Sequence, residues 1–199
     1  MQHQRIFIPG PVGKLQAIHE PSEDAQAAVV ICHPHPQFGG TMRNKVVYEL
    51  SRTFAEAGCA TLRFNFRGVE ESEGNWDEAR GEVDDARAAI EWMEMQYPDT
   101  PLWLAGFSFG GYAGLKAAQG DARIVRMIAV APAVNHWDFS FMRSETRPLT
   151  VVMGTEDEIV PFEKVAAWAG TLPNVKFHPI EGAGHFFTNH MQGMKQALL

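Results

Sequence analysis

The chain has 199 residues, 45% of them hydrophobic and 21% charged, which suits one globular domain with a sizeable core and excludes a disordered, collagenous or disulfide-stapled chain. Lys and Arg number 17 against 24 Asp and Glu, a net charge of −7; the basic residues are scattered, so nucleic acid and anionic membrane are poor partners. The longest unbroken apolar run, Ala27 to Cys32, falls far short of the roughly 20 residues that span a bilayer.

The first residues, MQHQRIF, lack the basic start and apolar stretch of a secretion signal, and a cytoplasmic protein is expected. Two short strands, Arg5 to Ile8 and Lys14 to His19, flank a Pro-Gly-Pro-Val-Gly turn and predict an opening hairpin. Ala27 to Cys32 reads as a fully buried strand. Val46, Val47, Leu50, Phe54 and Ala57 then recur at helical spacing over Asn44 to Ala57, where Gly58 supplies the stop. Strand Ala60 to Phe66 follows, then helix Glu82 to Tyr97, with Glu82, Asp84 and Asp85 in the first turn, where they complement the helix dipole. Strand Leu102 to Ala105, helix Phe109 to Gln119 and strand Ile124 to Ala131 come next. Strand Thr150 to Met153, helix Phe162 to Ala169, strand Val175 to Ile180 and a helix from about Asn189 complete the chain. Val-, Ile- and Leu-rich strands separated by amphipathic helices predict one α/β domain over residues 1–199, with a mostly parallel sheet of about eight strands covered on both faces. Cys32 and Cys59 lie in strand-like runs and read as buried free thiols.

In such sheets ligands sit beyond the carboxyl ends of the strands, so chemistry belongs in the loops that follow them. After the strand Leu102 to Ala105 comes Gly106-Phe107-Ser108-Phe109-Gly110, a Gly-x-Ser-x-Gly sequence between strand and helix. A sharp turn there strains the serine backbone, and side chains two residues either side would collide, so glycine is needed at both places. A serine hydroxyl needs an adjacent base, and the base an orienting acid. His185 lies in a glycine-rich loop directly after the last strand, whereas His178 falls inside that strand and His190 within the last helix. Gly154 to Pro161 follows the strand Thr150 to Met153 and carries three acids; Asp157 is the candidate, Glu156 and Glu158 read as solvated, and Asp138 is the alternative. The chain order is Ser108, Asp157, His185. The backbone N–H of Phe109, just after the serine, is placed to meet an oxyanion.

These segments resemble the α/β-hydrolase superfamily: GFSFGG as nucleophile elbow, GTEDEIVP as acid loop and GAGHFF as histidine loop. ICHPHPQFGGTMRNK, FNFRGVEESEG and GEVDDARAAIEWM are similar to a small lidless bacterial subfamily, with Glu70 standing where its relatives carry glycine. The resemblance implies a second oxyanion donor in His33-Pro34-His35-Pro36. Proline has no N–H, which leaves His35, with Gln37 or Phe38 as fallbacks. No lid is expected in the short stretch Asn135 to Arg147, and Phe38, Trp76, Phe107, Trp137, Phe139, Phe141 and Phe186 could rim a shallow site for a short acyl or aryl ester. Arg67 or Arg143 could bind a carboxylate instead. The expected activity is a cofactor-independent serine hydrolase acting on a small-molecule ester or thioester, with no metal; oligomeric state is left open. The rival readings are a non-catalytic binding protein on the same fold and a metal-dependent hydrolase built on His33, His35 and His185.

Overall fold

A computed structural model describes residues 3–199. The elements run β1 (Gln4–Gly10), β2 (Gly13–Glu20), β3 (Ala28–Cys32), α1 (Lys45–Glu56), β4 (Ala60–Phe64), α2 (Arg80–Gln96), β5 (Leu102–Phe107), α3 (Phe109–Ala118), β6 (Ile124–Val130), β7 (Leu149–Gly154), α4 (Phe162–Ala169), β8 (Val175–Ile180) and α5 (Met191–Leu198). Short 3₁₀ turns occupy Pro36–Phe38 and Ser140–Ser144. The eight strands form one sheet in the order β1-β2-β4-β3-β5-β6-β7-β8. The opening hairpin pairs antiparallel with itself and with β4, and every later pairing is parallel. The mostly parallel eight-stranded sheet is therefore the one expected from the alternation of strands and helices, and the α/β-hydrolase architecture the one that the resemblance implies.

β3, β4 and β7 are buried at every position, which a sheet achieves only when helices cover both faces. α1 packs with α5 and α2 with α3. Several boundaries differ from expectation by one or two residues, among them the end of β4 and the start of α2. β4 ends at Phe64: Asn65 N–H still donates to the Gln16 carbonyl of β2 at 2.8 Å, but its buried side chain accepts from Met42 N–H and donates to the Gln16 side chain. α2 begins at Arg80, after Ala79 in a left-handed conformation. Cys32 and Cys59 are buried and unpaired. Among the described residues no helix is long and apolar enough to cross a membrane.

The chain leaves β3 for β4 on one side and β5 for β6 on the other, so the order reverses between β3 and β5. Loops diverging from that point leave a crevice at the carboxyl edge, and the loop after β3 and the turn after β5 flank it.

Candidate active site

Ser108 stands between β5 and α3 with φ 54° and ψ −116°, a conformation that costs roughly 1–3 kcal/mol and persists only where its surroundings enforce it. They do so here. The Ser108 N–H donates to the Val130 carbonyl at 2.9 Å and the Ser108 carbonyl accepts from Gly111 N–H at 3.0 Å. A Cβ at Gly106 would collide with the Gly110 backbone, and one at Gly110 with the carbonyls of Cys32 and His33. The elbow is thus pressed against both its own helix and the end of β3.

The acid and histidine loops are stitched together. Thr155 Oγ1 accepts from Gly182 N–H at 2.9 Å, the Ala183 carbonyl accepts from Glu156 N–H at 3.0 Å, and Glu158 Oε2 accepts from His185 N–H at 3.0 Å. Across this seam His185 Nδ1 lies 2.7 Å from Asp157 Oδ2, and both side chains are almost wholly buried. Asp157 Oδ1 accepts from the N–H groups of Ile159 and Val160 at 2.8 and 2.7 Å, so the carboxylate cannot rotate away. Glu158, expected to be merely solvated, instead holds the histidine backbone; a carboxylate beside Asp157 in an acidic run carried no sequence signal of that. Asp138 spends its carboxylate on Ser140. His178 lies on β8 and His190 precedes α5 with its ring against the Thr188 carbonyl.

The loop after β3 is organised by His33. Its fully buried ring accepts at Nε2 from Phe66 N–H at 3.0 Å, so Nδ1 carries the proton and donates to the Pro34 carbonyl at 2.6 Å. Burial pushes its pKa down to about 3. With both nitrogens engaged, the ring has no lone pair left for a metal. The His35 ring accepts from Gln37 N–H at 3.2 Å, and the His35 carbonyl from Phe38 N–H at 3.1 Å. Both fallback donors are therefore spent, whereas among the described residues no acceptor faces the N–H of His35 or of Phe109. Glu70 adopts φ 47° and is held there by Arg43 Nε at 3.2 Å and Asn65 Nδ2 at 3.0 Å, which offsets the missing glycine.

A cavity of about 770 Å³ opens over Ser108 and His185, with Phe38, Phe109, Trp137 and Phe186 among its walls. Phe107 and Phe139 do not line it. Phe107 is fully buried behind His185, ring centroids 5.0 Å apart, because alternate side chains of a strand point to opposite faces. Phe139 is buried against Tyr112 and Trp168. Trp76 and Phe141 are also outside the lining: Trp76 packs on His35, and Phe141 lies under the Lys116 ammonium. Arg67 is unavailable to any ligand, since its guanidinium and N–H both bind the buried Asp85 carboxylate. Arg143 flanks a separate groove with Lys164 and Trp168.

The family model for serine aminopeptidase, S33, matches residues 23–147. The chain is 33% identical to an uncharacterised protein of Rickettsia prowazekii, over 98% of this chain and 86% of the relative. Among solved structures it is similar to an α/β serine hydrolase homologue from Coxiella burnetii, at 39% identity and TM-score 0.93, covering 100% of this chain and 96% of the other. It is similar also to a lidless α/β serine hydrolase from Xanthomonas campestris, at 37% identity and TM-score 0.87, covering 100% and 92%. With the strand order and the strained serine turn already described, these likenesses establish that the chain belongs to the serine aminopeptidase (S33) family of α/β hydrolases.

Proposed function

We propose that the protein is a cofactor-independent serine hydrolase that cleaves carboxylic esters or thioesters through an acyl-enzyme on Ser108. The observation that carries this is that His185, which borders the same cavity as Ser108, is paired behind it with the buried Asp157 carboxylate at 2.7 Å. In the first half-reaction Ser108 Oγ bonds to the substrate carbonyl carbon while His185 Nε2 takes the hydroxyl proton. Asp157 holds the ring and stabilises the imidazolium. The carbonyl oxygen becomes an oxyanion that meets the N–H groups of Phe109 and His35, each such donor worth about 2.7–4 kcal/mol in the transition state. The C–O or C–S bond then breaks and His185 returns its proton to the leaving alkoxide or thiolate. Water repeats the sequence and frees the acid and Ser108.

Esters and thioesters are favoured over peptides with a free amino terminus by the chemistry of the walls. An aminopeptidase must hold a substrate ammonium, and no Asp or Glu is among the described residues that line the cavity. Labelling of Ser108 by a fluorophosphonate probe, together with turnover of a p-nitrophenyl ester, is the expected result. Ser108→Ala should abolish the label and lower kcat by about 10⁴–10⁶; full activity in that variant would end the proposal, and a folded protein that neither takes the label nor turns over an ester would mark a binding protein.

A further inference from the structure

The cavity walls carry two side chains that the reaction does not use, and both present donors. Asn44 lines the cavity and precedes α1, where its Oδ1 accepts from Val46 N–H at 2.9 Å. That bond fixes the amide orientation, because only the oxygen can accept. The Asn44 Nδ2 group is left over, with no partner among the described residues. The His35 ring lines the same cavity. Its Nδ1 accepts from Gln37 N–H, so the neutral ring carries its proton on Nε2, likewise without a partner among the described residues. Burial and the nearby His136 lower the affinity of this ring for a second proton. The ring packs against Trp76 and the exposed Phe38, with centroids 4.6 Å away in each case, and against Phe109 at 5.1 Å. His136 also borders the cavity.

We infer that Asn44 Nδ2 and His35 Nε2 form a donor subsite that selects esters carrying a second oxygen acceptor, a carbonyl, ether or carboxylate, on the part of the substrate remote from the scissile bond. The inference rests on the ester-hydrolase reading above. An unfunctionalised acyl chain entering this cavity strips water from two polar groups and returns nothing, whereas an oxygenated chain replaces the lost hydrogen bonds. The Gln37 N–H bond and the contacts with Trp76 and Phe109 matter because they hold the His35 ring in place before substrate arrives. No carboxylate is among the described lining residues, so an anionic acceptor meets no like charge in direct contact.

The test pairs 4-methylumbelliferyl esters of four- to eight-carbon acids with counterparts bearing a terminal ketone or carboxylate. At one or more chain lengths the wild-type protein should favour an oxygenated ester over its parent by about tenfold in kcat/KM. Asn44→Asp keeps the capping oxygen and replaces the amide donor by a second oxygen. It should reduce that preference at least tenfold, with the carboxylate series hit hardest. Equal or reversed preference at every length, or a preference unmoved in Asn44→Asp, overturns the subsite while turnover of the parent esters leaves the hydrolase reading intact. Absence of turnover with any ester overturns both. If Asn44→Asp does not accumulate folded, competitive inhibition of the wild-type protein by the oxygenated and parent free acids reads the same preference.

Discussion

A backbone N–H serves a developing oxyanion only when its peptide plane is held still, and the bond from His33 to the Pro34 carbonyl acts on the very amide that bears the His35 N–H. One ring thus orients the proposed oxyanion donor without touching it. Glu158 stands in the same relation to His185, the proposed base: its carboxylate accepts from His185 N–H at 3.0 Å and fixes where the ring begins. Misplacing a catalytic group by about 1 Å can cost on the order of 10²-fold in rate. Glu158→Ala should therefore lower kcat for a p-nitrophenyl ester about tenfold or more with little change in KM, while Glu158→Gln, which retains an acceptor oxygen, should recover most of the loss. Steady-state kinetics of the two variants check this; a kcat for Glu158→Ala equal to that of the wild-type protein would remove Glu158 from the positioning machinery.

Among the elements, α3 shows why three glycines that look alike in sequence differ in consequence. Gly110 sits where any Cβ meets the carbonyls of Cys32 and His33, Gly114 where one would lie 2.9 Å from Leu104 Cδ2 and 3.3 Å from Cys32 Sγ, and Gly111 where the nearest atom is Pro132 Cβ at 3.5 Å. Gly110→Ala must push β3 and α3 apart and should abolish both probe labelling and cooperative melting. Gly111→Ala meets only ordinary contacts and replaces a glycine in the first turn of α3, so it should leave labelling intact and change stability by less than about 1 kcal/mol, in the favourable direction. Thermal melts and probe labelling of the pair separate the two. The elbow was legible in the sequence because its steric demand is local and falls on two fixed positions. The role of Glu158 and the withdrawal of Phe107 and Phe139 from the cavity were not, since each depends on which chain segments meet across loops distant in sequence. Arg67 illustrates the same limit: its partner Asp85 lies a loop and a helix turn away, and only their burial together shows that the guanidinium is spent.

At the scale of the whole molecule, the alternation of strands and helices was enough to read the α/β class, the opening hairpin and the approximate number of strands. The order of strands, with β3 between β4 and β5, is a long-range property that periodicity does not carry. Stability against pH is also a property of the whole. His33 is buried neutral with its pKa pushed down to about 3 from 6.5, so between those values the unfolded chain binds the proton that the folded chain refuses. Its contribution is complete above pH 6.5 and falls by about 1.4 kcal/mol per pH unit as pH drops toward 3. The lowered pKa values of His19 and His35 act in the same sense, whereas burial raises that of Glu82 and opposes them. His33→Gln, which can offer one donor and one acceptor without titrating, isolates the term. The wild-type protein should lose stability relative to this variant between pH 7 and pH 5, as followed by chemical denaturation, and parallel losses in the two would show that His33 does not titrate on unfolding.

The connection from β6 to β7 holds one short 3₁₀ turn and, among the described residues, no α-helix; Ala133, His136 and Trp137 from it form part of the cavity wall beside Ser108. Enzymes whose serine is roofed wait for a droplet or micelle to peel the roof back, and their rate jumps when the ester comes out of solution. With no such helical roof among the described residues, the proposed ester hydrolase should follow the concentration of dissolved, monomeric ester and pass through the solubility limit without a step, as initial rates measured across that limit would show.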